Sequence, residues 1–198
     1  MGSERERIIL ATAERLFAEH GFHAVGMAAL GASAGTTGSA IYRHFASKDE
    51  ILGALFDEAS AELIERLGPW REDPREELEA LVDAHLDFTL DRRSLALIWL
   101  YEQRSLSSAH RRAFLRRRER YLKRWIDALE RIHPGVPRAA LVAAMNAAQS
   151  GLMSVALLPE PADLCVVRIT VRSQVLAGIE ALHLHLSPIE SVLSGDNQ

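Results

Sequence analysis

Several side chains that can donate hydrogen bonds to an anion lie close together between residues 36 and 48. Phosphate oxygens and base edges accept such bonds, so hydroxyls and cations in one short stretch indicate contact with nucleic acid. The candidate base or phosphate contacts are Thr36, Thr37, Ser39 and Arg43. Lys48 follows at a predicted helix N-terminus, where backbone N–H groups also favour a phosphate group.

Two short predicted helices must position these side chains. The first runs from about Met27 to Ala34, and the second runs from Gly38 to about His44 after a tight turn. Thr37 is predicted to cap the second helix by accepting an early backbone N–H. Two such helices form a helix-turn-helix, which places its second helix in the major groove of DNA. Gly38 within that helix is expected to cost about 1 kcal/mol against alanine.

A different candidate lies on a long predicted helix from about Ser108 to Ile132. Arg118 falls near the middle of the apolar face of this helix, and an unpaired buried charge is costly. One alternative is an internal ion pair with Glu102 or Asp91. The other is an anchor for an anionic ligand. Most other basic residues of the helix fall off the apolar face and are predicted to be solvated.

Aromatic and polar residues on the predicted helices of the body indicate a small-molecule cavity, because such sites combine apolar walls with a few convergent polar groups. His85 is predicted to face inward, where a hydrogen-bonded core role and a ligand contact are both open. The residues predicted to line the cavity are His85, Trp99, Tyr101, Arg118, Tyr121, Trp125, Asn146 and Gln149.

Enzyme chemistry is the main competing class of function. The sequence contains no zinc-ligand spacing, no phosphate-binding loop and no nucleophile elbow. Its single cysteine, Cys165, excludes an internal disulfide and a cysteine-rich metal site. We therefore expect no catalytic residue, no cofactor and no metal.

The rest of the chain must supply a framework for both groups of candidates. Its 198 residues, 48% of them apolar, suffice for one compact core or for a small domain attached to a larger one. The periodicity is helical almost throughout and predicts an all-α fold of about nine helices. Three helices, two of them short, precede Ala46. We therefore predict a small helix-turn-helix module at residues 1–50 and a larger helical body at residues 51–198.

Charge and hydropathy restrict the partners. The net charge is −4, although residues 104–125 hold nine basic residues and one acid. Residues 1–50 carry −1, an unfavourable balance for a phosphate-facing surface, so we expect modest and salt-dependent affinity. The uncharged run Ala139–Pro159 approaches the length of a membrane span, but its alanine content and polar residues predict a buried helix of a soluble protein. The single cysteine and a charged N-terminus without a signal-peptide core indicate the cytoplasm.

The N-terminal segment, residues 1–55, resembles the DNA-binding domain of the TetR family of bacterial transcriptional regulators. The resemblance is specific because of one motif: Tyr42, His44 and Phe45 are followed closely by Ser47-Lys48-Asp49. The length and helical character of the remainder also fit that family's two-domain, nine-helix architecture. The matching segments are Gly21-Phe22, Ala34-Gly35, Thr37, Ile41-Tyr42-Arg43-His44-Phe45 and Ser47-Lys48-Asp49-Glu50-Ile51-Leu52, with Ile9, Ala13 and Phe17 in the first helix.

The resemblance implies phosphate contacts from Tyr42, His44 and Lys48, with double-stranded operator DNA as the partner. It also implies that residues 51–198 bind a small-molecule effector and form a homodimer through a four-helix contact. The last two predicted helices are too apolar for a monomer surface, which points to the same interface. The interface residues predicted on them are Leu141, Met145, Leu152, Val171, Val175, Ile179 and Leu182.

These observations predict a dimeric transcriptional regulator, a repressor that releases its operator when a ligand binds the body. The segment from Leu97 to Leu129 is also similar to regulators of lipid breakdown that sense acyl-CoA thioesters, so an anionic or acyl-CoA-like effector is expected. The alternative is a helical ligand-binding or interaction protein with a weakened DNA-reading module, which Gly26, Gly38 and the acidic N-terminal balance favour. A small enzyme is the remaining alternative.

Overall fold

The computed structural model describes residues 3–159 and 163–182, and within these ranges the chain forms nine α-helices and no strand. This confirms the predicted all-α fold. Short 3₁₀ turns follow the sixth and eighth helices. The helices are α1 (Glu4–His20), α2 (Met27–Ser33), α3 (Gly38–Ile41), α4 (Lys48–Leu67), α5 (Pro74–Asp91), α6 (Arg93–Glu102), α7 (Ser108–Ile132), α8 (Arg138–Ser154) and α9 (Leu164–Glu180).

Side-chain caps define several helix starts. Ser3 and Glu6 form a reciprocal capping box at α1. Thr37 caps α3 as predicted, its hydroxyl oxygen accepting the Ala40 N–H at 3.1 Å. Gly21 ends α1 with a φ of 81°, a left-handed value that glycine adopts without steric cost. Local sequence chemistry therefore accounts for both ends of α1 and for the start of α3.

The described residues divide into two compact units that do not follow the sequence order. The first unit comprises the residues up to Glu65 together with Asp91–Glu119, and the second comprises Arg66–Leu90 and the residues from Arg120 onward. Helix α7 contributes to both units. The division at residue 50 stays a prediction.

Each unit has its own apolar core. In the first unit, the aromatic rings of Phe56, Trp99 and Phe114 pack together, with centroid separations of 5.0 to 6.1 Å. In the second unit, Phe88 and Trp125 are fully buried. These cores hold the helices that carry the candidate functional residues.

Helices α8 and α9 differ in burial. Leu141, Met145 and Leu152 of α8 are buried within the chain, so the prediction that they form a dimer contact is corrected: they pack in the core of the second unit. By contrast, Ile179 is the only α9 residue that is buried. The span Arg138–Leu157 is long and apolar enough to cross a membrane by length and composition, and 44% of its most apolar window is buried inside the chain.

Candidate nucleic-acid interface and effector site

The close approach of α2 and α3 depends on two glycines. A Cβ atom at Gly31 would lie 2.4 Å from the backbone nitrogen of Gly38, and a Cβ atom at Gly38 would lie 2.9 Å from the Met27 carbonyl oxygen. No larger residue fits either position without moving backbone. Gly38 is therefore a packing requirement of the helix-turn-helix, and the propensity argument that it weakens the unit is corrected.

The predicted contact residues on α3 are largely exposed. The Tyr42 side chain is 56% exposed, and Arg43 is exposed beside it. Thr37 and Ser39 are exposed and joined by a hydrogen bond of 2.9 Å between their hydroxyl oxygens. Thr36 is half-buried before the helix. Helix α3 ends at Ile41, earlier than the predicted His44, so Tyr42 and Arg43 follow its last turn.

His44 lies against the first helix. Its Nδ1 atom is 3.6 Å from a carboxylate oxygen of Glu6, and both side chains are about one-third exposed or less. The other carboxylate oxygen of Glu6 accepts the Ser3 N–H at 2.8 Å. His44 is therefore near one carboxylate and still accessible from solvent.

Lys48 makes internal contacts that the sequence did not predict. Its ammonium group donates to the carbonyl oxygens of Phe22 and Val25, both at 2.7 Å, and lies 4.3 Å from the centre of the Phe22 ring. Burial lowers the pKa of Lys48, and the negative charge of Glu102 opposes that shift. Lys48 therefore fastens the loop between α1 and α2 to the start of α4. Its third N–H group has no hydrogen-bond partner among the described residues.

Glu102, at the end of α6, holds the same loop from the other side. One of its carboxylate oxygens accepts the Phe22 N–H at 2.9 Å, and the other accepts the Ser105 hydroxyl at 2.7 Å. Ser105 in turn lies 3.1 Å from the Nε2 atom of His23. Glu102 is thus committed to the loop and is not the internal partner suggested for Arg118.

Asp49 joins the first turns of α4 and α7. Its carboxylate accepts the Ser107 N–H at 2.8 Å and lies 2.7 Å from the Nδ1 atom of His110. Burial raises the pKa of Asp49, but the hydrogen bonds from Ser107 and His110 outweigh it and hold the pKa below its ordinary 3.8. No spacing rule relates residues that are 61 positions apart, so this contact could not be predicted from the sequence.

In the second unit, His85 of α5 forms a buried hydrogen bond with Tyr121 of α7. The His85 Nδ1 atom and the Tyr121 hydroxyl oxygen are 2.7 Å apart, and both residues are at most 5% exposed. The Tyr121 ring also meets the Trp125 ring edge to face, with centroids 6.3 Å apart. The structure therefore brings together three of the predicted effector residues.

Two further predicted residues of this unit carry buried donors without partners. Trp125 is 0% exposed and Gln149 is 7% exposed. Within the part of the chain that the structure describes, the Trp125 Nε1 and Gln149 Nε2 atoms have no hydrogen-bond partner. Since a buried unsatisfied donor costs about 1–3 kcal/mol, both groups are suited to a ligand that accepts hydrogen bonds.

The remaining predicted effector residues lie elsewhere. Tyr101 is 65% exposed and Asn146 is exposed, so their assignment to an enclosed cavity is corrected. Trp99 belongs to the aromatic core of the first unit. Arg118, also of the first unit, is half-buried, and its side chain has no hydrogen bond or ion pair with any described residue.

The sequence did not predict the buried ion pair between Glu77 and Arg124. The Glu77 carboxylate is fully buried and accepts hydrogen bonds from the Arg124 guanidinium and from the Arg71 N–H. Arg124 also donates to the carbonyl oxygens of Gly68 and Pro69. The helical wheel predicted a solvated Arg124, because it shows direction around one helix and not what packs beside it.

A groove runs between α8 and α9. Its open volume is about 320 Å³. Val175, Ile179 and Leu182 of the predicted interface line it, while Val171 is half-buried nearby on α9. The other lining residues are Ala144, Ala147, Ala148, Gln174 and Gly178.

Two family models match the chain, and together they cover more than half of it. Residues 9–55 match the bacterial regulatory proteins of the tetR family, and residues 71–148 match the tetracyclin repressor-like C-terminal domain. No curated protein sequence matches the chain.

Solved structures share the fold. A tetR-family regulatory protein from Rhodococcus RHA1 is 23% identical with a TM-score of 0.78, covering 91% of this chain and 97% of its own. PfmR, a TetR family regulator from Thermus thermophilus, is 24% identical with a TM-score of 0.74, covering 86% and 96%. FadR from Bacillus subtilis, solved in complex with stearoyl-CoA, is 21% identical with a TM-score of 0.70, covering 87% and 98%.

The matches of these two domain models, one N-terminal and one C-terminal, establish the relationship. The chain belongs to the TetR family of bacterial transcriptional regulators and is a DNA-binding regulator that responds to a small-molecule ligand.

Proposed function

We propose that this regulator represses transcription as a homodimer and releases its operator when an effector binds in the second unit. The observation that carries the DNA-binding half is the exposed polar surface of α3 on a tightly packed helix-turn-helix. Effector and operator then bind at separate sites, and the coupling between them must be reciprocal.

The proposed operator contacts follow from exposure. Thr36, Thr37, Ser39 and Arg43 offer donors to base edges or phosphates, and Tyr42, His44 and Lys48 are proposed to contact phosphates. Lys48 acts in two ways: it fixes the loop at Phe22 and Val25, and it adds positive charge beside the duplex. The DNA-binding domain is proposed to cover residues 1–50, and residues 51–198 to bind effector and to dimerise.

The proposed dimer contact uses the outer faces of α8 and α9. Val166 and Ile169 of α9 are 57% and 59% exposed, an unusual state for large apolar side chains in a row on one helix. Several exposed positions of α8 are small, which permits close approach of a second pair of helices: Ala143, Ala147, Ser150 and Ser154. A second copy of the chain is therefore the proposed occupant of this surface.

The dimer contact can be tested by Ile169→Glu. Because Ile169 is exposed in the single chain, a carboxylate there leaves the protomer folded but is costly in a buried contact. We expect a folded monomer by light scattering. Ile64→Glu, at a 41% exposed apolar residue of α4, is the matched control and should stay dimeric. A folded Ile169→Glu dimer would place the contact elsewhere.

The proposed effector presents hydrogen-bond acceptors to the buried donors of Trp125 and Gln149. An acyl thioester has a carbonyl oxygen of this kind, and its apolar chain suits aromatic walls. The stearoyl-CoA complex of the similar Bacillus subtilis regulator supports an acyl-CoA-like effector. The His85–Tyr121 pair supplies a further polar edge.

We further propose that the chain is not an enzyme and acts in the cytoplasm. The family is one of DNA-binding regulators, which supports both statements. In the described ranges, no three His, Cys, Asp or Glu side chains are grouped to hold a metal ion.

A mobility-shift experiment tests the DNA-binding proposal. The probe is the duplex immediately upstream of the protein's own coding sequence, and a shuffled duplex of equal length is the control. We expect a discrete complex on the upstream duplex at concentrations that leave the shuffled duplex free. Equal binding to both, or binding to neither at low salt, would contradict the proposal.

A further inference from the structure

A small cleft with donor groups on its walls lies beside α3, within the first unit. Its volume is about 200 Å³. Arg5 and Ile9 of α1 form one wall, and the segment around α3 forms the other. The lining residues from that segment are Thr36, Ala40, Arg43 and His44. Two guanidiniums, an imidazole and a hydroxyl around one space of this size suit a tetrahedral oxyanion.

The two arginines are available to a ligand. Within the residues that the structure describes, neither the Arg5 nor the Arg43 side chain has a hydrogen-bond or ion-pair partner. The other arginines of α1 are engaged: Arg7 pairs with Glu4, and Arg15 pairs with Glu19 at 3.1 Å. Arg5 is thus the one described α1 arginine whose charge no carboxylate offsets.

One carboxylate borders the cleft. Glu6 lies 3.6 Å from His44, but its other oxygen is held by the Ser3 N–H in the capping box of α1. The two arginines outnumber this single negative charge. The cleft therefore remains favourable for an anion even before His44 is considered.

The place of the cleft indicates the source of the anion. Thr36 precedes α3, and Arg43 and His44 follow it, so the cleft adjoins the helix that carries the proposed base contacts. We propose that this cleft binds a backbone phosphate of the operator and that Arg5 is a DNA contact from outside the helix-turn-helix. The inference rests on the proposed operator binding and adds a phosphate site on α1.

The test compares Arg5→Ala with Arg7→Ala on the upstream duplex, using fluorescence anisotropy over a series of salt concentrations. Loss of one phosphate contact from each protomer of the proposed homodimer, two contacts in all, should flatten the slope of log affinity against log salt by about 1.8. It should also weaken specific and shuffled duplexes by the same factor. Arg7→Ala, whose guanidinium is paired with Glu4, should keep the wild-type slope.

The outcomes separate this inference from the proposed function. If the wild type binds no duplex, the proposed function fails. If the wild type binds the duplex and Arg5→Ala shows the same salt slope as the wild type, the proposed phosphate site is wrong, but the proposed DNA-binding function stands. Arg5→Lys should restore most of the slope, since it restores the charge.

Inorganic phosphate distinguishes a DNA backbone phosphate from free phosphate as the ligand of the cleft. Titration of the wild type with inorganic phosphate in the absence of DNA is expected to show no saturable binding at phosphate concentrations that leave the duplex bound. Saturable phosphate binding that is lost in Arg5→Ala would overturn the DNA backbone as the source and assign the cleft to free phosphate.

Discussion

The exposed surface of α3 and the buried cluster of the second unit use similar groups in opposite surroundings. Tyr42 presents its ring and hydroxyl to solvent, whereas Tyr121 is 5% exposed and bonded to His85. Exposed groups are satisfied by water and can exchange it for DNA at little cost to stability. Buried groups must find a partner in the chain or in a ligand. Substitutions should therefore change affinity in the first region, and stability or ligand response in the second.

The largest effect is expected at Glu77, the buried carboxylate of the second unit. Glu77→Ala leaves Arg124, only 16% exposed, with two carbonyl acceptors but no carboxylate, and breaking a buried pair typically costs about 3–5 kcal/mol. Thermal or urea unfolding should show this loss. Glu76→Ala, at an exposed neighbour on the same helix, is the control and should change the free energy of unfolding by less than about 0.5 kcal/mol. Equal effects would remove the contrast between buried and exposed groups.

Lys48→Ala should affect both stability and DNA binding, because Lys48 makes internal contacts and also belongs to the proposed DNA surface. Two carbonyl oxygens lose a charged donor, so the free energy of unfolding should fall by about 1–3 kcal/mol. Arg43→Ala, at an exposed cation without an internal partner, should weaken DNA binding and leave urea unfolding unchanged. If Lys48→Ala were as stable as Arg43→Ala, the contacts with Phe22 and Val25 would contribute nothing.

Sequence reasoning succeeded where the signal is local. The hydroxyl of Thr37 caps α3, and the predicted limits of α7, Ser108 and Ile132, are those of the structure. It failed at Gly38, where helix propensity indicated a cost and the structure shows a Cβ clash with Met27. The propensity scale describes one helix, whereas the clash depends on how two helices approach.

The candidate sites show the same limit. Helical periodicity gives α7 an apolar face, yet Leu115 on that face is 50% exposed, because periodicity describes one helix and not what packs beside it. The helix N-terminus and the family resemblance predicted a phosphate role for Lys48 but not its two carbonyl partners, which come from a loop 23 and 26 residues earlier. Apolar sequence predicted a buried α8, of which one side is buried in the chain, but it did not say whether the chain or a second copy covers α9.

Trp125→Phe tests the role of a buried donor in the second unit. The change keeps an aromatic ring and removes the unpartnered Nε1–H, so the free energy of unfolding should not fall by more than about 1 kcal/mol. The affinity for an acyl-CoA probe, measured by calorimetry, should fall by a factor of about ten, one lost hydrogen bond. Unchanged affinity for a probe that the wild type binds would exclude Trp125 Nε1 as a ligand donor.

The smallest effect concerns Glu14, which shares Arg92 with Glu58 and Glu62. Burial raises the pKa of Glu14 above its ordinary 4.5, and Arg92 offsets this only in part. A raised carboxyl pKa means that the stability from Glu14 is fully present below pH 4.5 and is lost as the pH rises through the folded value. Glu14→Gln should therefore gain slightly at pH 7 relative to the wild type, and the gain should disappear in acid.

Asp49 is the control, because its pKa is shifted in the opposite direction to that of Glu14. Its lowered pKa contributes stability above its ordinary 3.8 that is lost as the pH falls through the folded value. Asp49→Asn should therefore be less stable than the wild type at pH 7, and the difference should shrink in acid. Urea unfolding at a series of pH values measures both. If both variants changed the free energy of unfolding at pH 7 in the same direction, the opposite pKa shifts of Glu14 and Asp49 would be contradicted.

Hydrogen exchange read by mass spectrometry, with and without the upstream duplex, tests most directly whether α3 is the DNA-reading element. We expect slower exchange in peptides covering residues 36–48 on addition of the duplex. A shuffled duplex of equal length is the control and should slow exchange in these peptides less. Protection confined to the basic run at residues 104–125, with residues 36–48 unchanged, would contradict this expectation.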